Sequence, residues 1–206
     1  MRKSSLILIL LLVPVVWYGI WSSYHTTEKF TRMWTVDDPA SADARNIDWK
    51  NESDFIFTWG DGSGWEGYDT VKLRSDGTVA YVFRDHTRSS EWKWKRPQFS
   101  LEGDTVRELR DLLAAIDYFS LKQQYHAAIM DGTQRFVKVE ISGKRKGVYC
   151  NNNFPIEILR IKSFVEKRIL AVHSVQIALA KTTSMTRESM ETEMFSTEAT
   201  TKRTFK

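Results

Sequence analysis

Cys150, His126, His86 and Asp131 are the residue types that could assemble a thiol nucleophile, its base and a carboxylate to orient the base. That arrangement would make an envelope hydrolase, and a carboxylate such as Asp131 could serve alone. Two features weigh against it. Cys150 shares strand parity with Val148, which suits a small buried hydrophobe, and no catalytic cysteine signature surrounds it. No catalytic residue is therefore assigned. The four histidines, His25, His86, His126 and His173, stand singly, without an HExxH motif or a Cys/His pair. No metal site and no cofactor are expected.

The stretch from Gly60 to Gly67 carries Asp61, Ser63 and Glu66 among four glycines. A phosphate loop would need Lys-Ser/Thr after its last glycine, and Tyr68-Asp69 stands there instead. A calcium loop would need an oxygen where Trp65 sits. A nucleophile elbow would need glycine where Asp61 sits. What remains is a loop presenting Trp59, Asp61, Trp65 and Glu66, the candidate ligand-binding residues. Trp92 and Trp94 have period two and read as core residues under helices.

The elements that must position these residues follow from periodicity. Phe55 to Trp59 reads as a strand, and Gly60 to Gly64 as a loop behind it. Thr70–Arg74 and Val79–Phe83 alternate around Asp76-Gly77, a strong hairpin signal. Glu91 to Lys95 alternates and ends at Pro97. Val106, Leu109, Leu112, Leu113 and Ile116 then recur at helical spacing behind Asp104 as N-cap, with Arg107, Glu108, Arg110 and Asp111 between them. Phe136–Ile141 and Val148–Cys150 form a second hairpin whose tip spans Ser142 to Gly147 and holds Lys144, Arg145 and Lys146. A second helix follows, capped by Asn153, with Pro155 in its first turn. Its core stripe is Ile158, Ile161, Val165, Ile169 and Val172. The expected fold is α+β: an antiparallel sheet of about five to six strands, half covered, with two amphipathic helices on one face.

These residues also carry a resemblance. Tyr68-Asp69-Thr70-Val71-Lys72-Leu73 with Asp76-Gly77-Thr78-Val79-Ala80-Tyr81 resembles the opening hairpin of an uncharacterised domain found in exported bacterial proteins and lipoproteins. The similarity runs on through Leu112-Leu113, Phe119-Ser120-Leu121, Tyr125, Asp131, Lys146-Gly147-Val148, Pro155 and Leu159, over about residues 66 to 170. It implies a fold and an exported setting and supplies no active site. Members often carry a lipidated N-terminal cysteine; this chain has none there.

The N-terminus gives the address. Arg2 and Lys3 precede the uncharged run Ser4 to Tyr24, 21 residues long, with Trp17, Tyr18, Trp21 and Tyr24 at its far end. That length spans a bilayer, and the aromatics suit its interface. Residues 1–24 are read as a signal anchor in preference to a cleaved signal peptide, because small residues at the cleavage positions are hard to find. The positive end stays cytoplasmic, so a single-pass protein would hold its domain outside the cytosol; cleavage would make it secreted or periplasmic.

Residues 25–52 read as a polar linker from which Trp34 and Trp49 could dock, 53–181 as the globular domain, and 182–206 as a disordered Ser/Thr-rich tail. A formal charge of +4, with acids and bases interspersed, excludes a nucleic-acid partner. One cysteine excludes an internal disulfide, so packing must stabilise the fold. The expected partners are the membrane, through the N-terminal helix, and an envelope protein. The functional expectation is a non-catalytic binding or structural module of the cell envelope; the alternatives are the hydrolase above or a small protein inhibitor.

Overall fold

The computed structural model describes residues 47–50, 54–63, 66–85, 93–127 and 132–183, with Ser189 beyond them. The N-terminal apolar segment, Trp34, Trp65, Trp92, His25, His86 and Asp131 lie outside the described residues.

The described part is α+β. Its strands are β1 (Ile56–Ser63), β2 (Gly67–Arg74), β3 (Thr78–Arg84), β4 (Trp94–Lys95), β5 (Gln98–Ser100), β6 (Gln124–His126), β7 (Gln134–Ile141), β8 (Lys144–Asn151) and β9 (Thr182–Thr183). They lie in the order β6-β8-β7-β1-β2-β3-β4-β9, and β5 also pairs with β3. All pairings are antiparallel except β6 with β8. The strands beyond those expected, β5, β6 and β9, are short pieces of two or three residues, too brief to show periodicity, and of the expected strand Glu91 to Lys95 the described part is β4 alone.

Helix α1 (Gly103–Ala115) and helix α2 (Ile156–Phe164) cover one face; α2 continues as a π-helical segment, Val165–Leu170, and a six-residue helix α3 (Ser174–Leu179) follows. Val106, Leu109 and Leu113 of α1, and Ile158, Ile161, Val165 and Ile169 beyond it, pack on Phe55, Phe57, Trp59, Val71, Leu73, Val137, Val139, Val148 and Cys150. This is the apolar stripe that the helical spacing requires, set on alternate residues of the central strands. Tyr118, in a 3-10 turn (Tyr118–Ser120), donates from the core to Val137 O at 2.8 Å or Lys146 O at 3.1 Å.

Several expectations need correction. The sheet is not half covered. Tyr68, Val82, Trp94, Phe136 and Tyr149 are buried hydrophobics outside the main cluster, on the face away from the helices. Trp94 is one of them: it pairs with Arg84, while its neighbour Lys95 pairs with Phe83 on the helix side. Alternation then turns the indole away from the helices.

Gly60 to Ser63 is strand, not loop. A Cβ on Gly60 would lie 2.1 Å from the Phe136 ring, and one on Gly62 would lie 2.1 Å from Gly67 O. These glycines answer close approach rather than turning. The β7–β8 turn is Ser142-Gly143 alone, both at positive φ, so Arg145 and Lys146 belong to a strand. Helix α1 begins after Glu102, and Asp104 pairs with Arg107 in its first turn at 2.9 Å. Asn153 donates its side-chain amide to His126 O, and Pro155 takes the N-cap position of α2. Arg110, which lies between the stripe residues in sequence, is buried with its guanidinium 4.8 Å from the Phe55 ring centre.

The stripe of α2 ends at Ile169, and Val172 is 66% exposed. The wider π turn changes the phase of the face, and the helix breaks at Ala171–His173. His173 takes the inward place, stacked on Phe99 at 4.2 Å between ring centres, with Nδ1 2.9 Å from Ile169 O.

The outer limits of the domain shift as well. Ile47 and Trp49 pack on the core, Trp49 lies 5.8 Å from Phe119, and Lys50 O accepts from Arg110. Thr182 and Thr183, placed in the tail by composition, pair with Lys95 and Trp94.

Candidate binding site

Register sets one row of side chains across the helix-covered face. Asp61 of β1 stands opposite Arg135 of β7 and opposite Asp69 of β2. Arg135 stands opposite Cys150 of β8. On the other flank Phe83 of β3 stands opposite Lys95 of β4. Two residues inward along β1 and β3 come Trp59 and Tyr81. Polar and charged groups thus form a belt at the end of the apolar core.

Each charge in that belt has a partner. Arg135 Nε lies 3.2 Å from Asp61 Oδ1, and its guanidinium stacks over Phe154 at 4.0 Å. Asp69 Oδ1 accepts from the Arg84 amide at 3.1 Å. Lys95 Nζ lies 3.5 Å from Asp85 Oδ2. Burial, reinforced by the Asp69 and Asp61 carboxylates, pushes the Tyr81 hydroxyl well above its usual range, so it stays a neutral phenol.

Beside Tyr81 opens a cavity of about 380 Å³, lined by Tyr81, Phe83, Lys95, Leu170, Ile177 and three small residues, Ala171, Ser174 and Ala178. Its sheet wall is flat because Tyr81 and Phe83 stack at 4.8 Å with 19° between their planes. Its helix wall recedes because Ala171, in the turn before α3, and Ser174 and Ala178 of α3 are small. Such a mostly apolar concavity with few polar groups suits a ligand or an inserted side chain.

Of the sequence-selected residues, Trp59 is 4% exposed and belongs to the core cluster. Asp61 shares its face and is held by Arg135. Glu66 lies outside, exposed, 3.8 Å from Arg84. Trp65 is not among the described residues. Trp59 and Asp61 therefore come together, while Glu66 joins the Arg84 side. Tyr81 and Phe83 escaped notice because strand parity reads them as ordinary core aromatics; only the small residues of α3 leave their faces uncovered.

The pieces of a cysteine nucleophile do not meet. Cys150 is fully buried, and burial lifts its thiol to about 12 although Arg135 pulls the other way. His126 pairs in register with Asn151 and lies 5.7 Å from the Tyr149 ring, on the opposite face from Cys150. Its Nε2 faces Gln124 Oε1 at 3.0 Å. Among the described residues no group of three His, Cys, Asp or Glu side chains could hold a metal ion, and no helix is long and apolar enough to cross a membrane. No protein-family model matches the chain, and a search of curated proteins returns no match.

Proposed function

We propose that this chain is a membrane-anchored or secreted module of the cell envelope that binds or supports a partner without catalysis. Its address follows from Arg2, Lys3 and the apolar run Ser4 to Tyr24, and from the resemblance of residues 66 to 170 to domains of exported bacterial proteins. The single observation that carries the non-catalytic reading is the placement of Cys150. It is buried among apolar side chains with a raised thiol pKa, and His126 projects from the other face of the sheet. A nucleophilic cysteine needs the reverse, an accessible thiol with a lowered pKa beside its base.

Binding is supported by the cavity against Tyr81 and Phe83, where an aromatic wall and aliphatic side chains meet ion pairs already satisfied within the protein. The interaction it favours is stacking and apolar contact. Alkylation of Cys150 by iodoacetamide in the native full chain tests the reading. The expected rate is far below that of the unfolded chain; rapid native labelling with an acid-shifted pH dependence would point to the hydrolase instead.

A further inference from the structure

On α3 and the turn before it, Val172, Val175 and Leu179 recur at spacings of three and four and are 66%, 70% and 78% exposed. No residue of α3 is buried. An amphipathic helix ordinarily turns such a stripe inward; here Ile177 packs toward the core while Val172, Val175 and Leu179 look out. Lys167 lies in the π segment that precedes the stripe, and Lys181 follows Leu179. Both lysines are exposed and make no ion pair among the described residues. Two acidic residues among those described nearby are occupied elsewhere: Glu166 pairs with Lys162, and Glu108 of α1 takes Arg168 at 2.8 Å.

We infer that this stripe is a docking surface for a bilayer with anionic headgroups. Three aliphatic side chains flanked by unpaired lysines match the make-up of helices that lie in the lipid interface, apolar residues in the acyl boundary and basic ones against phosphates. Charge decides against a second copy of the chain as occupant. Pairing the stripe with itself about a two-fold axis would bring the lysines of both copies together, with no free carboxylate among the described residues of the stripe to separate them. The inference rests on the anchor reading for its membrane, since a tethered domain meets the bilayer at high effective concentration.

The test uses the full chain carrying Val175→Cys, labelled with an environment-sensitive nitrobenzoxadiazole dye; buried Cys150 leaves the introduced thiol as the reactive one. The protein is reconstituted into liposomes of phosphatidylcholine alone or with phosphatidylglycerol. In the anionic liposomes the dye emission should rise several-fold and shift to the blue. It should stay water-like in the neutral ones, and Lys167→Glu with Lys181→Glu should remove the shift. A dye at exposed Ser100 should report water throughout. A water-like Val175 signal in anionic liposomes with which the protein still co-floats would overturn the docking surface and leave the anchor intact. Failure to co-float would overturn the anchor reading itself. A blue shift that grows with protein concentration in detergent without lipid would make the occupant a second copy, and would equally overturn the inference.

Discussion

Tyr118 ties the 3-10 turn to the β7–β8 hairpin through one hydroxyl, fully buried, aimed at Val137 O and Lys146 O. Tyr118→Phe keeps the ring and strips both carbonyls of that donor, so it should cost about 1–3 kcal/mol in urea denaturation. The same burial sets the response to alkali. Burial raises the phenols of Tyr118 and Tyr149, the latter to about 12, and raises the Cys150 thiol to about 12. Each folded pKa lies above its unfolded value, so the unfolded chain releases these protons first as pH rises. Their stabilisation is complete below about pH 9 and is lost as pH climbs towards 12. Denaturation midpoints should therefore fall steeply between those limits, and Tyr118→Phe should flatten the fall. A midpoint independent of pH over that range would contradict the burial of these groups.

The regular hairpins, the core stripe of α1 and that of the second helix as far as Ile169 were legible in the sequence because their periods are long and uninterrupted. Asp76-Gly77 was readable because Gly77 takes φ +84° and Asp76 Oδ1 accepts from the Thr78 amide at 2.8 Å, the chemistry the motif implies. Gly60 and Gly62 misled because a glycine serving close approach is spelled like one serving a turn; only the Phe136 ring and Gly67 carbonyl beside them tell the two apart. The cavity was illegible for a related reason: Ala171, Ser174 and Ala178 leave space only because they meet Tyr81 and Phe83 across the layer.

The π segment hid the end of the core. A straight α-helix would carry the stripe from Ile169 to Val172, whereas the widened turn buries Ile169 and exposes Val172. Ile169→Ala should thus cost about 2–5 kcal/mol, as cavity-forming truncations do. Val172→Ala should stay within about 0.5 kcal/mol, as for an exposed site. Equal losses at the two positions in thermal or urea unfolding would restore the uninterrupted helix.

At the scale of the whole molecule, buried side chains occupy both faces of the sheet, and the chain's single thiol is among them. Packing, not an internal disulfide, holds this domain together, because the chain has a single cysteine. The Lys138–Glu140–Arg145 group, at 2.7 and 2.9 Å, shows how the second face carries charge at one end and aromatics at the other. Alternating Lys and Glu in β7 reads from sequence as a solvated face, so this partly buried cluster could not be foreseen.

The address remains the premise that gives the domain its surroundings, and cell fractionation tests it most directly. Full-length protein should stay in the membrane pellet after a high-salt wash, with added protease reaching the domain only from the extracytoplasmic side; after cleavage, the mature chain should be recovered outside the cytosol. Full-length chain recovered from the soluble cytosolic fraction, free of lipid, would contradict the account.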